Sequence, residues 1–296
     1  MPERYFIPGS EWLFFKIYTG HKSADTILSE HLRPWVASLL KQAYVDSFFF
    51  IRYSDPEYHI RLRLHIPNQR IGYGTVMCTV YDMLHPLISE GLISSVMCDT
   101  YIRELERYGE YTIEAIEQFF FLDSLYELDL LHLLNEESII DPEQLRWRMS
   151  IRLIDDMCKS FFPELVNRAK LLGKMAESYR KEFNLIRAAF TGQLNDLYRT
   201  HRKLIVETLN MTEWMPEKMQ SVFAQRKVNL AEQTAIIQEL NMQTEEPLEE
   251  EHLFWSFIHM TMNRWFRSQN RLHEMVIYNF MSKYYESISA RMRYNK

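Results

Sequence analysis

Cysteine is scarce in this sequence. Cys78, Cys98 and Cys158 are the only three among 296 residues, and no two of them lie close together. That excludes a disulfide framework and the paired spacing of a zinc knuckle, and it leaves buried, reduced thiols as the expectation. Glycine and proline are also few, at 8 and 10, which favours long regular elements over loops. No run of 18 apolar residues occurs, so no segment reads as a membrane span. The opening "MPERYFIPGSEW" lacks the apolar core of a signal peptide. Together these absences point to a cytoplasmic chain. The net charge is −6, so no global field draws in nucleic acid or an anionic membrane. Anion binding therefore has to come from a local cluster. There is no phosphate loop, no Rossmann glycine fingerprint, no nucleophile elbow around a serine, and no HExxH or HxxxH spacing among His21, His31, His59, His65, His85 and His132. Neither a metal nor a cofactor is indicated.

What is present is an ordinary globular composition, 47% hydrophobic and 25% charged. "EWLFFKIY" (11–18) is aromatic and β-branched and reads as a strand. "SADTILSEHLRPWVASLLKQA" has Leu28, Leu32, Trp35, Leu39 and Leu40 at roughly helical spacing, with a kink expected at Pro34. "DSFFFIRY" (46–53) and "YHIRLRLHI" (58–66) read as two strands joined by the turn residues of "SDPEY", a β-hairpin. A helix over about 73–90 and a strand near 94–102 follow. After residue 110 the periodicity is helical. "DPEQLRWRMSIRLIDDMCKSFF" opens with Asp141 as N-cap and Pro142 at the first helical position, with Gln144 three residues after the cap. "TEEPLEEEHLFWSFIHMTMNRWF" shows the same start signals around Pro247. The last helix ends in Arg291, Arg293 and Lys296, which suits the negative end of its dipole. The expected fold class is α+β: an N-terminal antiparallel or mixed sheet and a mainly helical C-terminal half, in a single domain over residues 1–296.

Three constellations could carry chemistry. Alternation along 58–66 puts His59, Arg61, Arg63 and His65 on one strand face and Ile60, Leu62, Leu64 and Ile66 on the other. The cationic face is either a solvated surface or an anion pocket, since the planar arginine fork grips carboxylates in bidentate fashion. "YIRELERYGE" (101–110) adds Arg103 and Arg107, either gripping an anion or paired with Glu104, Glu106 and Glu110, and Gly109 reads as a turn position. In "FIHMTMNRWFRSQNR" (257–271), His259 and Asn263 are one helical turn apart and share a face. His259 is either a satisfied core histidine or a general acid/base.

Taken in order, "EWLFFKIYTGHKSADTILSEHLRPWV", "FFFIRYSDPEYHIRLRLHI", "YIRELERYG" and "FIHMTMNRWF" resemble the small C-terminal domain of class I lanthipeptide dehydratases, which eliminates glutamate and also occurs free-standing in lanthipeptide and thiopeptide gene clusters. The resemblance spans about residues 11 to 290 and is weakest in the helical middle, about 140–240. It implies a lyase that removes glutamate from glutamylated Ser or Thr of a ribosomally made precursor, leaving dehydroalanine or dehydrobutyrine. The family's elimination residues fall on Arg61, Arg63, Arg103 and His259, with His59, Arg107 and Asn263 as further substrate-binding candidates. Cationic neighbours are expected to keep His259 neutral, and Asn263 to orient it. Glu110 departs from the family, which often has a second Gly there. The resemblance implies no cofactor, a precursor peptide with a leader, and a separate tRNA-dependent glutamylating protein, for which this chain is taken to have no room. It leaves a homodimer open. Two rivals stand beside this reading. One is a pyridine synthase, joining two dehydroalanines in a formal [4+2] cycloaddition and expelling the leader, though such relatives tend to lack the Arg/His set kept here. The other is a non-catalytic leader-binding partner in a modification complex.

Overall fold

The computed structural model describes residues 2–136, 139–185 and 188–294. Its chain forms two compact units, each discontinuous in sequence. One comprises Met1–Glu137 and Ser221–Leu248, the other Ser138–Gln220 and Glu249–Lys296.

The first unit holds the strands. In chain order they are β1 (Tyr5–Phe6), β2 (Trp12–Thr19), β3 (Ser47–Ser54), β4 (Tyr58–His65), β5 (Ile93–Asp99) and β6 (Tyr101–Ile102). Four of them make an antiparallel sheet in the order β3-β4-β2-β5, and β1 pairs with β6. The expected hairpin is β3–β4. The single strand expected near 94–102 divides into β5 and β6 around Thr100, whose N–H is taken by the Asp99 carboxylate at 2.7 Å. A side chain that captures the next backbone donor competes with the ladder, so the strand breaks there.

Register decides what each sheet face carries, because a one-residue slip would exchange them. Trp12 pairs with His65, Phe14 with Arg63, Lys16 with Arg61 and Tyr18 with His59. On the opposite face Leu13, Phe15, Ile17, Phe48, Phe50, Ile60, Leu62 and Leu64 are all buried. The helices of the first unit are α1 (His21–Thr26), α2 (Arg33–Lys41), α3 (Gln69–Ser89), the single turn α4 (Leu105–Tyr108) and the long α5 (Ile113–Leu134), and α5 packs on β3, with Phe48 of this face edge-on to the Phe121 ring. The Phe50 N–H donates to Ser124 Oγ on α5 at 3.3 Å, so the outer edge of β3 is covered rather than open. Between α1 and α2 lies one π-helical turn, Ile27–Leu32, and Pro34 sits at the start of α2. The wide turn replaces the expected kink within one α-helix. It comes just where the proline ring would clash with the preceding turn.

The second unit is helical: α6 (Pro142–Phe161), α7 (Leu165–Glu182), α8 (Ala188–Asn210), the start of α9 (Glu217–Met242), α10 (Glu250–Trp265) and α11 (Asn270–Tyr294). The Asp141 carboxylate accepts from the Gln144 N–H at 2.9 Å, the cap that the sequence indicates. α10 starts at Glu250, three residues past Pro247, with Glu250 and Glu251 in its first turn. Trp265 Nε1 donates to the Arg146 carbonyl at 2.8 Å, and Arg146 Nη1 returns a bond to the Trp265 carbonyl at 2.5 Å. This reciprocal pair locks α6 to the end of α10. Arg291 and Arg293 lie in the last turn of α11, whereas Lys296 falls outside the described residues.

The thiols differ from expectation. Cys158 is buried, but Cys78 and Cys98 are exposed. Burial pushes the Cys158 thiol well above its usual range, and partial desolvation together with the neighbouring Asp99 carboxylate raises the exposed Cys98, so neither is primed as a thiolate. Changing all three cysteines to serine is expected to leave catalysis unchanged, and a folded but inactive triple variant would reveal a thiol role.

Candidate functional site

In the first unit the candidate site is the outward face of β4 and its neighbours. The register puts Phe14 and Phe49 directly beside Arg63, one on each flanking strand. Its guanidinium carbon lies 4.5 Å from the Phe14 ring centre, 5.1 Å from Phe49 and 5.0 Å from Tyr101. The cation is thus held by ring faces instead of a carboxylate. Among the described residues Arg63 has no ion-pair partner, and its Nε is buried without a hydrogen bond. Burial lowers its pKa to about 10, so it keeps its charge at neutral pH. Arg61 stacks on Tyr53 at 3.5 Å, and its Nε donates to His59 Nε2 at 3.1 Å. It too lacks a carboxylate contact among the described residues. Beside it Lys16 pairs with Asp99 at 2.6 Å.

The other two cations of the strand behave differently. His59 is fully buried, its Nδ1 lies 2.9 Å from the Glu57 carbonyl, and Arg61 occupies its other nitrogen. It therefore presents neither ring nitrogen to a substrate. His65 Nδ1 is 2.7 Å from Asp46, with Glu11 at 4.0 Å from Nε2. That end of the face is acidic in character. The four expected cations reduce to two open forks, Arg61 and Arg63.

Arg103 is brought to the same unit, but its fork is filled. Nε and Nη2 donate to the two Glu117 oxygens at 2.8 and 2.6 Å, and Nη1 to the Glu3 carbonyl at 3.1 Å. Tyr101 donates to Glu117 at 2.7 Å. Arg103 and Glu117 are both about 95% buried, which sets their energetics. Arg103→Ala would strand a buried carboxylate, and is expected to destabilise the chain by about 3–5 kcal/mol. Of the two readings open for Arg103, an anion grip or a glutamate pair, the structure shows a pair, formed with Glu117 rather than with Glu104, Glu106 or Glu110. Urea denaturation of the variant checks it, and an unchanged midpoint would refute the buried pair. Arg107 is exposed, 3.4 Å from Glu104 and over the Tyr108 ring, which matches a surface ion pair. Gly109 has φ +72°, and a Cβ there would sit 2.7 Å from Thr112 Oγ1, so the turn after α4 needs glycine.

In the second unit the candidate site is built around His259 on α10. Its Nδ1 lies 3.0 and 3.2 Å from the two oxygens of Glu274 on α11. Glu274 is completely buried and also accepts from Tyr179 at 3.0 Å, Tyr278 at 2.8 Å and Asn270 at 3.1 Å. A carboxylate can only accept, so Nδ1 carries a proton, and in the neutral ring Nε2 is the nitrogen that holds the lone pair. The imidazole side chain remains 23% exposed. The expected cationic surroundings are thus replaced at Nδ1 by a buried carboxylate. Asn263 lies half-buried one turn along α10, and Glu274 holds the orienting position expected of it. Glu274 was not legible, because it lies 15 residues beyond His259 on the next helix and shares no short motif with it.

Two histidines have a stability consequence. Burial, the leading cause in each, lowers the pKa of His59 and of His273, which stacks on Phe266 at 4.2 Å. A neutral histidine that charges more readily when unfolded stabilises the native state above its ordinary pKa. The melting temperature is therefore expected to fall as pH drops from about 7.5 to about 5.5, through the ordinary histidine pKa. A flat profile would contradict the buried, neutral assignment.

The sequence profile described as "Lantibiotic biosynthesis dehydratase C-term" matches residues 12–285. The chain belongs to that family. It is 26% identical to the subtilin biosynthesis protein SpaB of Bacillus subtilis over 61% of this chain and 17% of SpaB. It is 30% identical to the nisin biosynthesis protein NisB of Lactococcus lactis subsp. lactis over 44% and 13%. With the epidermin biosynthesis protein EpiB of Staphylococcus epidermidis the identity is 24% over 89% and 25%. The matched part is thus at most a quarter of these relatives' length. In fold the chain is similar to the tRNA-dependent lantibiotic dehydratase MibB from Microbispora sp. 107891, with TM-score 0.69 and 20% identity over 96% of this chain and 29% of MibB. It is also similar to TbtD, a pyridine synthase from thiomuracin biosynthesis, with TM-score 0.62 and 12% identity over 94% and 99%. Among the described residues no helix is long and apolar enough to cross a membrane, and no group of three or more His, Cys, Asp or Glu could hold a metal.

Proposed function

We propose that this member of the lantibiotic dehydratase C-terminal family is a lyase that eliminates glutamate from glutamylated Ser or Thr of a ribosomally made peptide, leaving dehydroalanine or dehydrobutyrine. The observation that carries the reading is the pair Arg61 and Arg63: two charged forks on one sheet face, held by aromatic rings and without carboxylate partners among the described residues. Such forks are complementary to an anion, and the glutamyl group brings one.

The chemistry assigns each residue a role. His259 Nε2 takes the proton from Cα of the modified residue. The electron pair left on Cα forms the Cα=Cβ double bond, and the Cβ–O bond breaks to release glutamate as a carboxylate. Arg61 and Arg63 bind the glutamyl carboxylate and the charge that develops on the departing oxygen. Glu274 keeps Nδ1 protonated and balances the positive charge that forms on the ring as Nε2 takes its proton, which is how a buried carboxylate serves a catalytic histidine in general. Arg103 acts through Glu117 and Tyr101, whose ring is one wall of the Arg63 site. The implied partners are a precursor peptide with its leader and a glutamylating protein that supplies the adduct.

Mass spectrometry of a glutamylated precursor peptide incubated with this protein alone tests the reading. Loss of the glutamate together with the net loss of water from the original Ser or Thr supports it. An unchanged mass overturns it. The same incubation with a peptide carrying two dehydroalanines then reports a pyridine synthase, if the peptide cyclises and sheds its leader, or a non-catalytic leader-binding partner, if the peptide binds unchanged.

A further inference from the structure

We infer that His59 is a positioning residue for Arg61: its unprotonated Nε2 holds the guanidinium Nε and thereby fixes which edge of the fork faces outward. The geometry makes this assignment. The Glu57 carbonyl, 2.9 Å from Nδ1, can only accept, so the ring proton sits on Nδ1. Arg61 Nε, 3.1 Å from Nε2, can only donate, so Nε2 must offer its lone pair. The two bonds agree on a single neutral tautomer. The imidazole is fully buried, with its ring centre 4.8 Å from Tyr18 and 5.8 Å from Tyr53, so it cannot turn away from either partner. Tyr53 also stacks on the Arg61 guanidinium at 3.5 Å. One flat face of the guanidinium and its Nε are thus taken by the protein. The edge carrying Nη1 and Nη2 makes no hydrogen bond among the described residues.

This deepens the reading of Arg61 as an anion-gripping group, and rests on it for its functional meaning. It adds a consequence that the grip alone does not have. A proton on His59 Nε2 turns the acceptor into a donor facing another donor, and places two cations in contact. Arg61 then loses its anchor. The groups facing the ring are Lys16 and Tyr18 on β2, Tyr53 on β3, Asp55 in the hairpin turn and Arg61 on β4 itself. Lys16 and Arg61 oppose the proton and Asp55 favours it. Burial outweighs these and keeps the ring neutral down to below its ordinary range. The anion grip is therefore expected to be full at neutral pH and to weaken on acidification.

The test combines a spectroscopic and a binding readout on the full chain. The ¹⁵N resonance of Arg61 Nε, assigned by its loss in Arg61→Lys, is followed as His59 titrates. It should shift with His59 protonation in the wild type and stay in place in His59→Gln, whose side-chain oxygen accepts the same bond but takes no proton. Binding of L-glutamate, the probe, should weaken about tenfold across that titration in the wild type, the scale of one hydrogen bond to a charged group, and should stay level in His59→Gln. An Arg61 resonance indifferent to His59, or the same acid loss of binding in His59→Gln, would overturn the inference. If the two resonances are coupled but L-glutamate binds at no pH, the positioning role stands and the glutamyl reading of the site fails.

Discussion

Arg63→Ala is expected to lower the rate of glutamate elimination by about 10²–10³-fold, the usual cost of removing one well-placed donor to developing negative charge. The chain should remain folded, for a reason specific to this side chain. Arg63 has no ion-pair partner among the described residues, so its loss strands no buried counter-charge. What disappears from the protein is its contact with the Phe14, Phe49 and Tyr101 rings, worth about 0.5–2 kcal/mol per close cation–π pair. Arg63→Lys keeps the charge but not the planar fork, and should fall between the wild type and the alanine variant. A time course of glutamylated peptide followed by mass spectrometry distinguishes the three. Wild-type turnover by the alanine variant would reduce the arginine face to a packing device. The contrast with Arg103 is instructive, since both arginines are largely removed from water. Arg103 shares its burial with Glu117, and its removal is expected to appear first in stability. Arg63 shares its burial with neutral rings, and its removal is expected to appear in function.

His259→Ala is expected to have an effect of similar or larger size, about 10²–10⁴-fold, the contribution of a positioned general base. Glu274→Gln should cost less, because the imidazole stays in place. The substituted amide can present either a donor or an acceptor to Nδ1, so the tautomer that leaves Nε2 bare is no longer enforced. It also removes the negative charge that balances the protonated ring. Rates measured for both variants at saturating peptide separate the roles. A loss in kcat for Glu274→Gln with little change in KM marks a group acting through the base, whereas a pure rise in KM would place His259 and Glu274 in substrate binding. Full activity in His259→Ala would make the histidine a core residue after all.

Much of the architecture was legible because local chemistry and tertiary packing agree. The alternation in "YHIRLRLHI" is a period of two, and it survives as β4 because Ile60, Leu62 and Leu64 bury one face completely. The Asp141–Pro142 start of α6 was readable because capping is a local interaction between residues three apart. Pro34 was readable as a disturbance, but not as a π-turn, since the way a helix absorbs a proline depends on what packs around it. The division of β5 from β6 was not readable, because the two strands pair with different partners.

For the site, the sequence by itself determined the inventory: Arg61 and Arg63 two residues apart, Arg103 in "RELERYG", and His259 in a helical period. It could not determine which charges are free. Formal charge is a property of a residue, whereas an available charge is a property of its neighbours, and those neighbours are distant in sequence. Glu117 reaches Arg103 from α5, Glu274 reaches His259 from α11, and Phe14 and Phe49 reach Arg63 from separate strands. Tertiary structure alone made Arg103 a buried ion pair, His59 a neutral acceptor and Arg63 a cation unpaired among the described residues. In a medium less polar than water the presence or absence of a partner changes a charged group's free energy far more than it does in water.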